Sequence, residues 1–315
     1  MRVAAIFGLH SSPRHLQPFA RISDARWQIG LPANSSDADA ILIFGGDGTV
    51  HRHLQQLVSL QLPVLVVPHG SGNDFARALS LRSTGDALAA WRQFAFCQER
   101  DENSGENPGE RNVRRIDLGV ISAVSSPSAV ADNVPKVRGR YFCSVGGVGL
   151  DAEVARRANQ LPRALRRRGG YLFSVLPALF GFRPMAVEVR AHNDSSGGLD
   201  IRHDGSVMVV AFANTPTYGG GILIAPQAQL DDGKLDVCVV GTMAKTRLLR
   251  LFRSVYSGRH LRIPEVSYFQ AGRLRIETKK LSHVYADGEY VCSTPVDVRV
   301  ERAALNVIVP VPRRK

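Results

Sequence analysis

The chain has 315 residues, 44% hydrophobic and 22% charged, which suits one large or two medium globular domains with a sizeable core. Lys and Arg outnumber Asp and Glu 40 to 28, giving a net charge of +12 that attracts nucleotides, nucleic acid or an anionic membrane face. No apolar run approaches the roughly 20 residues that span a bilayer, and no aromatic–basic motif or helix-turn-helix marks a nucleic-acid module. Cys97, Cys143, Cys238 and Cys292 lie far apart with no CxxC pair, so reduced, buried thiols in a cytosolic protein are expected rather than disulfides or zinc.

The opening MRVAAIFGLHSSPRH has no small-residue cleavage site, and Val3–Phe7 reads as a first strand rather than a signal peptide. Ile41–Phe44 is a short buried strand running into FGGDGTV. Val50, Leu54, Leu57 and Val58 then fall at helical spacing. Pro63–Val67 is a second buried strand, and PHGSGNDFARAL leads from it into a second helix. Strand, glycine-rich turn and helix, twice in succession, indicate a parallel α/β layer whose ligands bind beyond the carboxyl ends of the strands.

The polar stretch 98–112 reads as a loop. Beyond it strands dominate: Ile116–Ile121, Tyr141–Val145, Ala186–Arg190, Val207–Ala213, Leu235–Val240, Leu274–Thr278, Val284–Ala286 and Val296–Val300. The polar insertions 125–136 and 192–205 read as hairpin tips or loops, and helices are expected over Ala152–Gln160, about Arg163–Phe182 and Lys245–Ser257. An α/β half followed by a β-rich half predicts two domains.

Glycines after a strand let backbone N–H groups approach an anion, and the following helix adds its positive end. Gly45-Gly46-Asp47-Gly48-Thr49 therefore suits a phosphate. Asp47 fits beside a phosphate if Mg²⁺ lies between them or if it orients an attacking hydroxyl; a plain Asp-Gly turn is the other reading, and this loop alone leaves both open. Gly70-Ser71-Gly72-Asn73-Asp74 repeats the composition at the next strand end. Either Ser71 or Asn73 suits a helix cap, but two such loops in succession are better explained by a nucleotide phosphate tail.

GGDGT followed by PHGSGNDFAR resembles the diacylglycerol-kinase-type lipid kinases, which share a catalytic domain with sphingosine and ceramide kinases. The segments Gly146–Arg157, Asn214–Val237 and Tyr285–Val291 follow in the same order, and the resemblance extends to about residue 310. It implies an N-terminal α/β nucleotide-binding domain over 1–115, completed by a returning strand in 303–315. It further implies a β-sandwich-like lipid-substrate domain over 116–302, with the active site between the two. The implied reaction transfers the γ-phosphoryl group of ATP, with Mg²⁺, to the hydroxyl of diacylglycerol or a related lipid alcohol. By this resemblance Gly45 to Thr49 form one nucleotide loop and Gly70 to Asp74 the other. Glu289 matches the position of the base for the lipid hydroxyl, with Asp47, near the metal or the hydroxyl, as the other carboxylate for that proton, and Asp231 and Asp232 match a site that holds a metal away from the reaction centre.

A lipid kinase must visit a membrane. The basic run Arg163, Arg166, Arg167 and Arg168 precedes an apolar stretch and suits transient contact with anionic headgroups, which places the protein in the cytoplasm, peripheral to the inner membrane face. No nucleic-acid partner is expected, and the oligomeric state is not encoded in any motif.

Two departures from the family pattern stand out. The first strand leads into FGLHSSPRHL in place of an Asn-Pro-containing loop, leaving His10, Ser11 and Ser12 as substitute donors, and the segment before Ile41 looks short enough for a helix or strand to be trimmed. Arg52 stands where the family usually keeps an acid. These departures admit a catalytically weak lipid- or nucleotide-binding sensor as an alternative, with NAD kinase a more remote one.

Overall fold

The computed structural model describes every residue except 71, 105–111, 125–138, 161–177, 179–180, 193–197 and 312–315. The chain divides into two units, Met1–Asp117 with Arg302–Lys315, and Leu118–Glu301.

The first unit opens with β1 (Arg2–Phe7), a four-residue helix α1 (Gln17–Ala20) and a four-residue strand β2 (Arg26–Ile29). The helix and strand expected to be trimmed are thus both present, each reduced to about its minimum. Then come β3 (Ala40–Gly45), α2 (Asp47–Leu60), β4 (Val64–Pro68), α3 (Asp74–Ala78) and α4 (Thr84–Ser104). The strands lie in the order β2-β1-β3-β4, all parallel, and the end of the final strand adds beside β4 through Val307 and Val64. All six residues of β3 are buried, as expected of a parallel strand covered on both faces. Helix α2 buries Val50, Leu54, Leu57 and Leu60, so Leu60 rather than Val58 completes its apolar stripe. Helix α4 runs through Gln98–Ser104, seven residues into the stretch expected to be a loop. Its Gln, Glu and Arg residues are good helix formers, and a helix end needs no apolar period to continue.

The second unit holds β5 (Val113–Ala123) from Leu118 onward, β6 (Arg140–Phe142), β7 (Val145–Gly149), α5 (Leu150–Gln160), β8 (Met185–His192), β9 (Leu199–Ala213), β10 (Leu235–Gly241), α6 (Lys245–Val255), β11 (Val266–Ala271), β12 (Arg273–Thr278), β13 (His283–Ala286), β14 (Glu289–Ser293) and β15 (Val296–Ile308) as far as Glu301. The order is β14-β13-β7-β9-β8-β12-β15, with antiparallel neighbours; β10 pairs with β9 and β11, and β5 with β15 and β6. Apart from Asp236, strand β10 is apolar on both faces. Leu235, Val237 and Val239 enter one core cluster, and Cys238 and Val240 enter another that includes Leu150 and Val154 of α5 and Leu248 of α6.

Two expectations are corrected here. Leu199–Gly205 is strand rather than loop, because backbone pairing of Asp200 with Ala191 and Asp204 with Glu188 extends β9 whatever the polarity of its side chains. The last two strands are one, β15, with Ala303 at φ +50 inside it. The expected helix near Arg163–Phe182 and the insertion 125–136 fall largely or wholly outside the described residues.

Candidate active site

The parallel layer reverses its strand order at β1, which has β2 on one side and β3 on the other. Ligands of such sheets lie beyond the strand ends at that switch point. There the chain leaves β1 at Gly8 and β3 at Gly45. The Gly8 N–H donates to the Phe44 carbonyl at 2.8 Å, and the Ser11 hydroxyl donates to the same oxygen at 2.5 Å. A Cβ on Gly8 would come within 2.4 Å of Thr49 Oγ1, and one on Gly45 within 2.6 Å of Thr49 Cβ. The first loop and the start of α2 therefore fit together only without side chains at these two glycines.

The two glycine-rich loops are pressed against each other. A Cβ on Gly46 would meet Gly70 Cα at 2.7 Å, and one on Gly70 would meet Gly46 Cα at 2.4 Å. Asp47, the first residue of α2, accepts the N–H of Asp74 at Oδ2 and of Phe75 at Oδ1, each at 3.0 Å. It thus caps α3 from the neighbouring loop. Gly72 lies alongside, where a Cβ would be 2.9 Å from Asp47 Oδ2. Asn73 takes φ +53 and closes the second loop on itself, accepting the Gly70 N–H and donating to the Gly70 carbonyl, both at 2.8 Å. Asp74 is 2% exposed and its carboxylate meets Arg77 at 2.5 Å. Within α2 the N–H groups of Thr49 and Val50 turn back to the Gly46 carbonyl, which leaves those of Asp47 and Gly48 outside the helical ladder, as at any helix start. The expected residues Gly45, Gly46, Asp47, Gly48, Thr49, Gly70, Gly72, Asn73 and Asp74 are thus brought together; Ser71 lies outside the described residues.

Sequence reasoning passed over His15 and His69. Their rings lie 4.5 Å apart at this same end of the sheet, with Phe44 6.2 Å from His69. The Ser12 N–H donates to His15 Nδ1 at 3.0 Å, which places the proton of a neutral His15 on Nε2. Burial, then the neighbouring His15, pushes the His69 pKa down. Nothing in the local pattern announces this pair, because the two residues are 54 positions apart and meet only through the β1–β3–β4 order.

In the second unit, Asp287-Gly288 forms a two-residue hairpin between β13 and β14, with φ +50 and +83, the signature of a type I′ turn. The Asp287 carboxylate accepts the N–H groups of Cys143 at 2.9 Å and Ser144 at 2.8 Å. Asp287, not flagged from sequence, thus anchors the turn that presents Glu289. Glu289 itself is exposed at the start of β14. Asp151, at the start of α5, accepts the Tyr218 hydroxyl at 2.7 Å. Asp231 is exposed; Asp232 accepts the Lys234 N–H at 3.0 Å and the Gln270 side chain at 3.5 Å. Nearby Asp236 is fully buried, takes the Tyr268 hydroxyl at 2.6 Å, and has its pKa raised by burial. No three His, Cys, Asp or Glu side chains cluster as a metal set among the described residues.

A parallel α/β unit with paired glycine loops at its switch point, joined to an antiparallel unit with a core on each face of β10, defines a kinase-type architecture. Residues 23–105 match the diacylglycerol kinase catalytic domain, and residues 144–309 match the YegS C-terminal NAD kinase beta sandwich-like domain. A diacylglycerol kinase of Mycobacterium tuberculosis is 31% identical over 287 residues, covering 91% of this chain and 82% of that protein. One from Bacillus subtilis is 25% identical over 254 residues, covering 80% and 71%. A solved structure of a Bacillus anthracis diacylglycerol kinase superposes with a TM-score of 0.63 at 18% identity, covering 98% of this chain and 96% of that one. The chain belongs to the diacylglycerol kinase family of lipid kinases. Membership implies ATP use and a lipid substrate. Among the described residues no helix is long and apolar enough to cross a membrane; Arg163, Arg166, Arg167 and Arg168 lie outside those residues.

Proposed function

We propose that this chain transfers the γ-phosphoryl group of ATP, with Mg²⁺, to the hydroxyl of diacylglycerol or a closely related lipid alcohol. The observation that carries the reading is the packing of Gly46 on Gly70 at the switch point, with Asp47 spanning both loops. It puts the start of α2, whose first N–H groups lie outside the helical ladder, beside the second glycine loop, where a phosphate chain is well received.

Phosphoryl transfer passes through a loose transition state, so the protein's share is positioning and charge placement. The loop amides hold the phosphates, and Asp47 fixes the spacing of the loops rather than meeting the phosphates itself. Glu289, exposed at the start of β14, accepts the proton of the lipid hydroxyl. Mg²⁺, when bound, neutralises charge developing on the phosphates. Asp231 and Asp232 would hold a separate structural ion, their carboxylate oxygens suiting a hard cation.

The test is incubation with labelled ATP and Mg²⁺ against diacylglycerol, sphingosine, ceramide and NAD. Phosphatidate as the main product is expected. Phosphorylated NAD would replace the reading with NAD kinase. ATP or lipid binding with no product would replace it with the binding homologue that Arg52 favours.

A further inference from the structure

The second unit contains a cavity of about 540 Å³ that none of the expected site residues lines. This volume suits a lipid-sized ligand. It is walled by Gly149 and α5 on one side, by Phe182–Ala186 leading into β8 on another, and by Lys279–His283, the connection from β12 to β13, on the third. All three segments belong to the same unit.

The lining has two chemistries. Phe182 and Met185 give a half-buried apolar wall, continued outward by Leu281, which is 81% exposed at the tip of the loop. An aliphatic side chain held in water beside a cavity gains by covering it. The rim is cationic: Arg183, Lys279 and Lys280 are exposed and make no ion pair among the described residues. The cavity's one acid, Glu153, is already matched. Arg156 grips both its oxygens at 2.7 Å and Arg157 adds a contact at 2.6 Å. The rim therefore carries unbalanced positive charge above an apolar wall.

We propose that this cavity binds one phosphate-bearing acyl lipid, with the phosphate at Arg183, Lys279 and Lys280 and the acyl chain against Phe182, Met185 and Leu281. A neutral lipid would leave the cations unanswered, and a free phosphate would leave the apolar wall exposed. Neither the glycine-loop residues nor Glu289 line it, and the proposal stands whether or not the phosphoryl-transfer reading holds.

The probe is dihexanoyl phosphatidate kept below its micelle concentration, titrated by calorimetry into the full chain without nucleotide. Dihexanoylglycerol and glycerol 3-phosphate serve as the uncharged and chain-free controls, and vesicles with anionic lipid as the bilayer arm. The phosphatidate should bind at least about tenfold more tightly than either control, and raised salt should weaken it. Lys279→Glu with Lys280→Glu should abolish the preference over dihexanoylglycerol, and Leu281→Ser should weaken phosphatidate without changing glycerol 3-phosphate. These three residues are exposed, so an unchanged Tm accompanies the expected result. Equal binding of dihexanoylglycerol or of glycerol 3-phosphate would overturn the proposal, as would full affinity in the double variant. Binding to vesicles with none to the monomeric probe would also overturn it, because charge attraction to a surface would then account for everything.

Discussion

Asp47→Asn separates a structural job from a chemical one. In the wild-type chain each carboxylate oxygen receives one backbone N–H, from Asp74 and from Phe75. These residues are 2% and 0% exposed, so water does not readily replace a lost partner. Asparagine retains one acceptor oxygen, and its NH₂ cannot accept. One amide is left unsatisfied, at a cost of about 1–3 kcal/mol, and the remaining bond falls from charge-assisted to neutral. The expected loss is about 2 kcal/mol, a fall in Tm of about 4–8 °C for a unit of this size. A carboxylate kept only to steer Mg²⁺ or a hydroxyl would give the reverse: removing it from an anion site leaves stability unchanged or raised.

The measurement is urea unfolding without nucleotide, together with hydrogen exchange at the Asp74 and Phe75 amides. Faster exchange at those amides and a lower midpoint are expected, along with a raised KM for ATP as the second loop loosens. An unchanged midpoint and unchanged exchange, with turnover abolished, would refute the clamp and return Asp47 to the chemistry alone.

Gly70→Ala drives a Cβ to within 2.4 Å of Gly46 Cα, so the loops must part. A stability loss of about 1–3 kcal/mol is expected, with ATP binding weakened in calorimetry, whereas Gly85→Ala, whose Cβ meets nothing closer than 3.5 Å, should bind ATP normally. Glu289→Gln should lower turnover by about 10²–10⁴-fold at an unaltered Tm; near-normal turnover removes Glu289 as the base. Because burial depresses the folded pKa of His69, the proton is taken up preferentially by the unfolded chain. Its contribution to stability is therefore complete above about pH 6.5 and declines as pH falls through the folded value, so His69→Gln should flatten the Tm-against-pH curve on that acid side. Asp231→Asn with Asp232→Asn should erase any rise in Tm on adding Mg²⁺ to chelator-treated protein, and an equal rise in both proteins would count against a metal there.

Much of the first unit was legible because its signals are local. Ile41–Phe44 and Pro63–Val67 are apolar runs followed closely by glycine-rich loops, and both are strands that end at the loops they were expected to feed. The roles within the loops were less legible. Glycine tolerates many environments, so GGDGT read equally well as a phosphate cradle or a turn; the packing of Gly70 on Gly46, so close that a Cβ on Gly70 would lie 2.4 Å from Gly46 Cα, depends on β3 and β4 being neighbours, which no local pattern states. The same holds for Asp47, whose partners lie 27 and 28 residues away. In the second unit, Asp287 was hidden by the Glu289 beside it. Its Asp-Gly pair signalled a tight turn but not the amides of Cys143 and Ser144. The misread polar stretch at Leu199–Gly205 has a related cause: strand pairing answers to backbone hydrogen bonds, while periodicity reports only which side chains are buried.

The two departures from the family pattern acquire a physical meaning from these contacts. Ser11, a candidate substitute donor for phosphate, has only one hydroxyl proton. Its acceptors here are the Phe44 carbonyl and, at 3.1 Å, the Gly8 carbonyl, so Ser11 closes the first turn instead of reaching for a ligand. With Gly8 bonded to the same oxygen, the turn is held without an Asn-Pro pair, and the imidazoles of His15 and His69 occupy the neighbouring ground. Arg52 lies two residues beyond Val50, about 200° around α2 from it, and is exposed. It takes no part in the stripe of Val50, Leu54, Leu57 and Leu60, so the fold is indifferent to the exchange of an acid for a base. Its effect is confined to the field at the phosphate loops, where an added positive charge attracts an anion. Under the proposed reading, the altered first loop and Arg52 therefore bear on how strongly a nucleotide would be held, and they leave the clamped pair of glycine loops intact.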